Sequence, residues 1–344
     1  MRNLLTSLLA LAVVCVLGPP PARLDSGSRG LKPAIAPGVP FRVALIGLGR
    51  PAGSNSAATA TEEALEGALA RDDRVRLTER AMVEAALAGV GYDGSINMST
   101  DEARRLGSAI GCDYFITGKS EVLRRSQQPG ESHEEAIIGV MIVDGRNGRL
   151  AHFDFILERA ATPEAAVSAA ATSLGGRARS YVDRIEELRA MREKLRSAGA
   201  QSSSSPEVRI EDMPDAESAS AAGFIPPEFL NRVKPEYTEQ ADRADITATV
   251  EASAVFYAAG RVGEVETYRW AGFGLDESSA SAIRQLKFKP ATRDGKPTSV
   301  RALIRYNFRR VSQSDVNPAA PPKSEEKPAR DLRELFRPRY RPPR

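Results

Sequence analysis

The chain has 344 residues with 48 Lys or Arg and 45 Asp or Glu, which gives a formal net charge of +3 at pH 7. This length accommodates two domains of ordinary size with flanking segments, and the composition, 42% hydrophobic and 27% charged, is typical of a soluble globular protein. A net charge this small argues against a nucleic-acid-binding protein, because such proteins present a strongly basic surface.

The N-terminus predicts export. Arg2 precedes an apolar run over residues 4–17, and Pro19–Pro21 follows. A basic start before such a run is typical of a secretory signal peptide. The run is shorter than the roughly 20 residues of a membrane span, yet no clear cleavage site follows it. A cleaved signal over 1–22, which leaves a periplasmic protein, and an uncleaved inner-membrane anchor both stay open.

Composition along the chain predicts two domains, at 41–196 and 224–311. The Pro-, Gly- and Ser-rich stretches at 23–40 and 197–223 are expected to be linkers, and the Pro- and charge-rich tail at 312–344 is expected to be disordered. Because the second linker has too little apolar surface to fold, each domain is expected to fold alone and to bind a separate partner.

The first domain alternates strand and helix signals. The predicted strands are short apolar runs: 41–46, 75–77, 114–117, 136–143 and 150–157. The predicted helices start at capping signals: Thr59, Thr78, Ser99 and Thr162–Pro163. The order β-α-β-α-α-β-β-β-α predicts a mixed α/β sandwich, closed by a long helix that ends near Leu195.

The sequence pattern of the second domain predicts a β-hairpin, a helix and a strand. Apolar residues alternate from Ile246 to Phe256, and a turn and return strand continue to Tyr268. A helix from Leu275 and a final strand over 299–309 complete the plan. The whole chain is therefore expected to be an α+β protein.

The second domain resembles the TonB C-terminal domain across nearly all of 224–311. Four features carry the resemblance: the lead-in Pro235-x-Tyr237, AAGRVGEVE at 258–266, LDESSASAIRQLKFKPA at 275–291 and DGKPTSVRALIRYNF at 294–308. The sequence departs from the family at Thr238, where Pro usually follows the Tyr, and near Ile246, where a Gly is usual. A globular domain also replaces the family's long Pro-rich spacer.

The resemblance implies a module that binds outer-membrane partners. In that family the last strand pairs with a short segment of an outer-membrane receptor. For this chain the resemblance implies that the partner-binding residues are those of the last strand: Ser299, Val300, Arg301, Ala302, Leu303, Ile304, Arg305, Tyr306 and Asn307. By alternation, Arg301 and Arg305 are expected on the solvent face, where charge discourages edge-to-edge aggregation. A strand that dimerises or is simply covered is the alternative.

The first domain shows a weaker resemblance to TolB N-terminal and CsgG-like envelope domains, over about 41–160. It rests on LGSAIGCDYFITG at 106–118, which is similar to the helix-to-strand step of those families. The resemblance implies an assembly or interaction module that binds a second partner or forms a homo-oligomer.

No residue cluster predicts catalysis, a cofactor or a metal. Gly47, Gly49 and Gly53 follow a strand, but their spacing is not that of a dinucleotide-binding loop. The chain has 2 His, which stand apart in the sequence and from any Cys, so metal ligation is not indicated. We expect a protein that is not an enzyme, with an unrecognised active site that includes Glu79 or His152 as the remaining alternative.

Together these patterns predict a TonB-like cell-envelope adaptor. It would bind an outer-membrane receptor or another envelope protein by β-strand addition, and it would couple to inner-membrane motor proteins if its N-terminus stays anchored. The alternative is a soluble periplasmic scaffold without energy transduction. Neither interpretation involves nucleic acid.

Overall fold

The structure of the protein is a computed structural model, and it describes these stretches of the chain: 39–49, 56–128, 131–199, 209–214 and 223–310. The predicted signal or anchor over 1–22 and the predicted tail over 312–344 lie outside the described residues. So do most residues of the two predicted linkers.

The N-terminal region, residues 41–199, is built on one mixed sheet. Its strands are β1 (Phe41–Gly47), β2 (Val75–Leu77), β3 (Tyr114–Gln128), β4 (Glu131–Asp144) and β5 (Leu150–Ala160). They lie in the order β2-β1-β3-β4-β5, with β1 parallel to both β2 and β3 and the other pairs antiparallel. The predicted alternation of strands and helices is therefore observed.

The β3–β4 hairpin extends well beyond the apolar runs that predicted it. β3 continues past Thr117 through polar residues, and β4 begins before Ala136. Arg124 lies opposite Glu134, with 3.9 Å between its Nε and the carboxylate. Cross-strand hydrogen bonds and pairs of opposite charge stabilise strands whose residues have little strand propensity. Such pairing leaves no signal in a local hydrophobic pattern.

Helices cover both faces of this sheet. They are α1 (Ser56–Leu69), α2 (Arg80–Val90), α3 (Thr100–Ile110) and α4 (Pro163–Gly199). Leu65 of α1 and Leu174 of α4 are buried with Ile138 in one core cluster. Leu87 of α2 and Leu106 of α3 belong to the cluster on the other face. The predicted α/β layering is observed.

The ends of the helices show which local sequence signals set the helix boundaries. The capping box before α3 is confirmed, because the Ser99 hydroxyl accepts the Glu102 N–H at 3.2 Å and the Glu102 carboxylate accepts the Ser99 N–H at 2.8 Å. α2 continues past Gly89 and ends at Gly91, whose φ of 67° favours a residue without a Cβ. α4 runs to Gly199, beyond the predicted end near Leu195.

The C-terminal region, residues 223–310, contains the predicted hairpin, helix and final strand. Its elements are β7 (Phe224–Ile225), β8 (Glu228–Phe229), α5 (Glu239–Arg243), β9 (Ala248–Phe256), β10 (Val262–Arg269), α6 (Leu275–Arg284), β11 (Phe288–Lys289), β12 (Ala291–Arg293) and β13 (Lys296–Phe308). The main path of the sheet is β10-β9-β13-β12-β7, and β8 pairs with β11. The predicted α+β class is confirmed.

An aromatic cluster forms the core of the C-terminal region. The ring of Phe256 lies 5.3 Å from that of Phe229 and 4.9 Å from that of Phe288, both nearly edge-on. Val300 of β13 and Ile283 of α6 are buried in the same cluster. Phe288 belongs to the Phe-x-Pro-Ala phrase of the sequence, so that motif places a core side chain.

The two regions share a hydrophobic core, and the described residues between Pro40 and Arg310 belong to one compact unit. Phe115 and Met141 of the N-terminal sheet are buried in the same cluster as Trp270, Phe273 and Phe308. This arrangement differs from the expectation that each domain folds alone. A polar linker predicts freedom of the chain between two domains, but its composition carries no information about surfaces that pack together elsewhere.

Candidate partner-binding edge

All nine predicted partner-binding residues lie in β13, and from Val300 to Asn307 they alternate between core and solvent as predicted. Val300 and Ala302 are buried, and Ile304 and Tyr306 pack partly against the core. On the opposite face the exposed residues are Arg301, Leu303, Arg305 and Asn307. Ser299 is buried, and its hydroxyl accepts the N–H of Ala258 at 3.0 Å.

One edge of β13 is paired with β9 from Val300 to Phe308. β13 runs antiparallel to β9, in register from Val300 opposite Phe256 to Phe308 opposite Ala248. This ladder holds the strand in place, and it leaves the other edge as the surface on which a further strand can be added.

After the first residues of β13, which pair with β12, a short strand occupies the other edge at Ser299–Arg301. β6 (Ile210–Asp212) runs parallel to β13, with Ser299 opposite Ile210 and Arg301 opposite Asp212. The N–H of Met213 donates to the carbonyl of Arg301 at 3.0 Å. The predicted linker at 197–223 therefore contributes a strand of its own to the sheet.

The rest of that edge is open. Both backbone groups of a strand residue point to the same edge, and the direction alternates from residue to residue. Because the Arg301 carbonyl faces β6, the N–H and C=O groups of Leu303, Arg305 and Asn307 face the same way. Within the described residues, β9 on the other edge is the one strand that pairs with β13 at these positions, and no second strand lies along the edge that continues from β6.

The open edge is flanked by positive charge. The Arg305 Nε lies 2.7 Å from the carboxylate of Glu251 on β9, so this cation is paired within the sheet. Arg301 and Arg309 are exposed and enter no ion pair among the described residues. The edge therefore favours a strand that carries acidic side chains.

The opposite end of the sheet is fixed to the N-terminal region by Asn97. Its side-chain amide accepts the N–H of Thr249 at 2.9 Å, and it donates to the carbonyls of Thr249 at 2.9 Å and of Trp270 at 2.7 Å. Ser99 forms an antiparallel bridge with Arg269. The amide of Asn97 thus supplies the hydrogen bonds that a neighbouring strand would otherwise make.

The loop at 270–275 inserts into the N-terminal region. The indole N–H of Trp270 donates to the carbonyl of Gly148 at 3.0 Å. A Cβ on Gly139 would lie 2.4 Å from the ring of Phe273, so this position admits the ring only because Gly has no side chain. Phe273 also contacts Phe153 with a ring separation of 4.9 Å.

Thr238 accounts for one departure from the family pattern. Its hydroxyl accepts the Ala241 N–H at the start of α5, and it also donates to the carbonyl of Phe273. The preceding Tyr237 donates to the carbonyl of Ile246 at 2.7 Å and stacks near Phe308. Thr in place of Pro therefore connects α5 to the inserted loop.

Asp276 holds the inserted loop from the α6 side. Its carboxylate accepts the N–H groups of Ala271 at 3.0 Å and Gly272 at 2.7 Å. Burial raises the pKa of this carboxyl to about 7, against the opposing effect of the two backbone hydrogen bonds. The charge of Asp276 therefore changes near neutral pH.

A second polar contact between the regions is centred on Glu135 of β4. Its carboxylate is 2% exposed and lies 3.2 Å from His133, 2.9 Å from Arg159 and 3.4 Å from Arg243 of α5. Burial alone would raise the pKa of Glu135, but the hydrogen bond from His133 and the ion pair with Arg159 hold it below its usual range. The cluster therefore links the two regions electrostatically.

The residues considered for an active site lie on separate elements. Glu79 is the exposed N-cap of α2, whereas His152 lies on β5 beside Tyr181, where burial lowers its pKa. In the glycine-containing loop, the Leu48 N–H donates to the carboxylate of Glu62 at 2.7 Å, so an acidic side chain stands where a phosphate-binding loop would offer its N–H groups. Cys112 is buried.

The described residues contain no group of three or more His, Cys, Asp or Glu placed to hold a metal ion. Among the described helices, even the long α4 lacks an apolar stretch of membrane-spanning length.

Part of the C-terminal region matches a known family. Residues 233–309 match the family model of the Gram-negative bacterial TonB protein C-terminal. The resemblance read from the motifs is therefore confirmed for this part of the chain. The matched family is a protein-interaction domain of the bacterial cell envelope. No curated protein matches the chain.

Several solved structures are similar to parts of the chain. The TonB C-terminal domain of Pseudomonas aeruginosa is 18% identical, with 25% of this chain and 88% of that chain covered and a TM-score of 0.23. The LpoB C-terminal domain of Salmonella enterica is 13% identical over 36% of this chain and 86% of that chain, with a TM-score of 0.25. A lipoprotein of Neisseria meningitidis is 14% identical over 43% of this chain and 99% of that chain, with a TM-score of 0.29. Likeness at this level carries no inference about function.

Proposed function

We propose that the protein is an exported cell-envelope adaptor whose TonB-like region binds an extended segment of an outer-membrane partner by strand addition to β13. The observation that carries this proposal is the open edge beyond Arg301. There the backbone groups of Leu303, Arg305 and Asn307 face away from β9 and have no strand partner among the described residues. In strand addition, main-chain hydrogen bonds supply affinity and alternate side chains supply selectivity.

The surroundings of the edge suit this use. β13 is held by its ladder with β9 and by a core that includes Phe256 and Val300, so the acceptor strand is rigid before a partner arrives. The exposed Arg301 and Leu303 give a partner one charged and one apolar contact next to the main chain. The same arginine discourages indiscriminate pairing between edges.

In this proposal the N-terminal region supports the binding edge and is not an enzyme. It buries Trp270 and Phe273 and pairs with β9 through Asn97, which fixes the TonB-like sheet in one orientation. Its own exposed surfaces are available to a second envelope partner or to a second copy of the chain. The TolB N-terminal or CsgG-like resemblance of 41–160 stays an expectation.

Photo-crosslinking in cells tests the edge directly. A benzophenone amino acid at Leu303, which is 38% exposed, is expected to form a crosslink to an outer-membrane protein. The same amino acid at Tyr268, which is 37% exposed on β10, provides the matched control and is expected to give none.

A second pair of variants separates strand addition from contact through a side chain. Arg305→Pro removes an edge N–H, whereas Arg305→Ala removes the same side chain and keeps the N–H. The crosslink at position 303 is expected to disappear in the first and to persist in the second. Equal crosslinking in both variants would contradict strand addition.

The coupling of this adaptor to inner-membrane motor proteins depends on residues 1–22. We propose that the segment stays as an anchor if energy is transduced, and that it is removed if the protein is a soluble periplasmic scaffold. Intact mass of the protein from fractionated envelopes distinguishes the two. A mass that includes Met1 in the inner-membrane fraction supports energy transduction, and a mass that begins near Ala22 in the periplasmic fraction supports the scaffold.

A further inference from the structure

β6 occupies the same edge that the proposed function reserves for a partner. It pairs in parallel with the first predicted binding residues, with Val300 opposite Glu211 and Arg301 opposite Asp212. Any added strand that covers the whole predicted site, from Ser299 to Asn307, must therefore take the place of β6. The chain itself shows one kind of segment that this edge accepts.

The occupying segment is acidic and meets basic residues. The Glu211 carboxylate lies 2.8 Å from a terminal guanidinium nitrogen of Arg293, and Arg293 in turn lies over the ring of Phe224. Asp212 is opposite Arg301, and both side chains are exposed. The charges of β6 thus complement those of the edge.

Only a short stretch of β6 pairs with the edge of β13. Its paired stretch is the three residues Ile210–Asp212, continued by the hydrogen bond from Met213 to Arg301. Ile210 is 36% exposed and Met213 is only partly buried against the core. A strand of this length buries little apolar area, so a longer strand that also pairs with Leu303, Arg305 and Asn307 gains more hydrogen bonds than it displaces.

We infer that residues 209–214 are an internal competitor for the partner-binding edge, and that the partner's strand is an extended acidic segment that displaces β6 and pairs from Ser299 to Asn307. This inference rests on the proposed function, because it specifies the ligand and the regulation of the same edge. The free protein holds the edge partly closed, and only a strand longer or more acidic than β6 opens it.

Three forms of the full chain test this competition. In the released form, Glu211→Arg reverses the charge that contacts Arg293 and repels β6 from the edge. In the locked form, Asp212→Cys and Arg301→Cys join the two paired positions by a disulfide, since neighbouring strands lie within the Cα separation that a disulfide requires. The third form is the wild type.

The probe is a labelled peptide with the sequence of residues 209–214, followed by fluorescence anisotropy. The released form is expected to bind it at least about 10-fold more tightly than the wild type, because no competitor must leave. The locked form is expected to bind at least about 10-fold more weakly until a reductant opens the disulfide. Glu264→Arg makes the same charge change at an exposed position of β10 and is expected to behave as wild type.

The nature of the ligand is tested with a second peptide in which Arg replaces the two acidic residues. It is expected to show no binding to the released form. Equal affinity of both peptides would overturn the acidic character of the partner.

The outcomes separate the inference from the proposed function. Equal affinity of the first peptide for all three forms overturns the competitor role of β6, while strand addition at the open part of the edge stands. Absence of binding even to the released form overturns the inference. If the crosslink at Leu303 is also absent, the proposed function fails with it; if the crosslink forms, only the inference fails.

Discussion

The N-terminal sheet and the TonB-like sheet differ in how much of their surface the protein covers. In the N-terminal sheet, α1 and α4 pack on one face, while α2, α3 and the loop at 270–275 pack on the other. In the TonB-like sheet, one face carries the core around Phe256. The opposite face exposes Leu303 and Arg305, and beyond Arg301 the edge of β13 has no strand partner among the described residues.

This difference assigns different physical roles to the two regions. Apolar area removed from water stabilises the N-terminal region and the joint between the two regions, which Asn97 and the loop at 270–275 form. The open edge of β13 leaves backbone donors and acceptors to water, which contributes little to stability but leaves them available to a partner strand. The two regions meet at the loop at 270–275 and at Asn97. Substitutions at these positions therefore test the comparison between the regions.

The largest expected effect is the loss of the ring that fills the joint. Phe273→Ala is expected to lower the free energy of unfolding by about 3–5 kcal/mol, because it leaves a cavity against Gly139 and Phe153. Since the chain has 1 Trp, fluorescence of Trp270 reports the joint while far-UV circular dichroism reports both regions. In urea, the two signals are expected to change together in the wild type and in the variant.

The control for this experiment is Met82→Ala, at a side chain that is 57% exposed, with an expected effect of less than about 0.5 kcal/mol. A Trp270 transition at clearly lower urea than the circular dichroism transition would show that the two regions unfold separately. That result would contradict the comparison between the two regions, because the joint between them would then not be part of a common core.

A smaller effect is expected from the carboxyl group that holds the inserted loop. The pKa of Asp276 is raised to about 7 in the folded protein, so between its unfolded value near 4 and pH 7 only the folded state keeps the proton. The stability contributed by that proton is fully present below pH 4 and is lost as the pH rises towards 7. The free energy of unfolding is expected to fall by about 2–3 kcal/mol from pH 5 to pH 7 on account of this group.

The pH effect is measured as a difference between variants. Asp276→Asn removes the titrating group, so the wild type minus variant difference isolates its slope from those of other residues. Glu264→Gln, at an exposed position of β10, is expected to keep the wild-type slope. A difference that is flat between pH 5 and pH 7 would contradict the raised pKa.

The smallest of the three effects concerns the amide that replaces a strand. Asn97→Ala leaves the N–H and C=O of Thr249 without partners at the joint, which is expected to cost about 1–3 kcal/mol. Hydrogen exchange of the Thr249 amide is expected to accelerate more than that of amides in the centre of β9. Arg105→Ala, an exposed change on α3, is the control; a similar acceleration there would mean that exchange reflects global stability and not the contact with Asn97.

Much of the fold could be predicted from local patterns. The capping box at Ser99 and Glu102, the alternation along β13 and the position of Phe288 in the core all follow from short-range signals, because caps, strand alternation and motif residues act within a few positions of the chain. The same motifs carried the resemblance to the TonB C-terminal domain, which the family match over 233–309 confirms. The location of all nine candidate residues in one strand was predictable for the same reason.

Other features had no local signal. The strand β6 lies in a stretch whose polar composition predicts a linker, and only its pairing with β13 makes it a strand. The long β3–β4 hairpin depends on cross-strand pairs such as Arg124 and Glu134, which are ten positions apart in the sequence. Neither hydrophobic periodicity nor turn residues record such partners.

The sequence by itself thus determined the type of each main element, the α+β class and the resemblance of the C-terminal region to the TonB C-terminal domain. Propensity, capping, alternation and short motifs are properties of neighbouring residues. Only the tertiary structure decided that Trp270 and Phe273 complete a core begun by the N-terminal region, and that β6 closes the first part of an edge that Leu303, Arg305 and Asn307 leave open. Those outcomes depend on surfaces and strand edges that meet across more than 80 positions of the chain, and the free energy of such contacts is not encoded in any one segment.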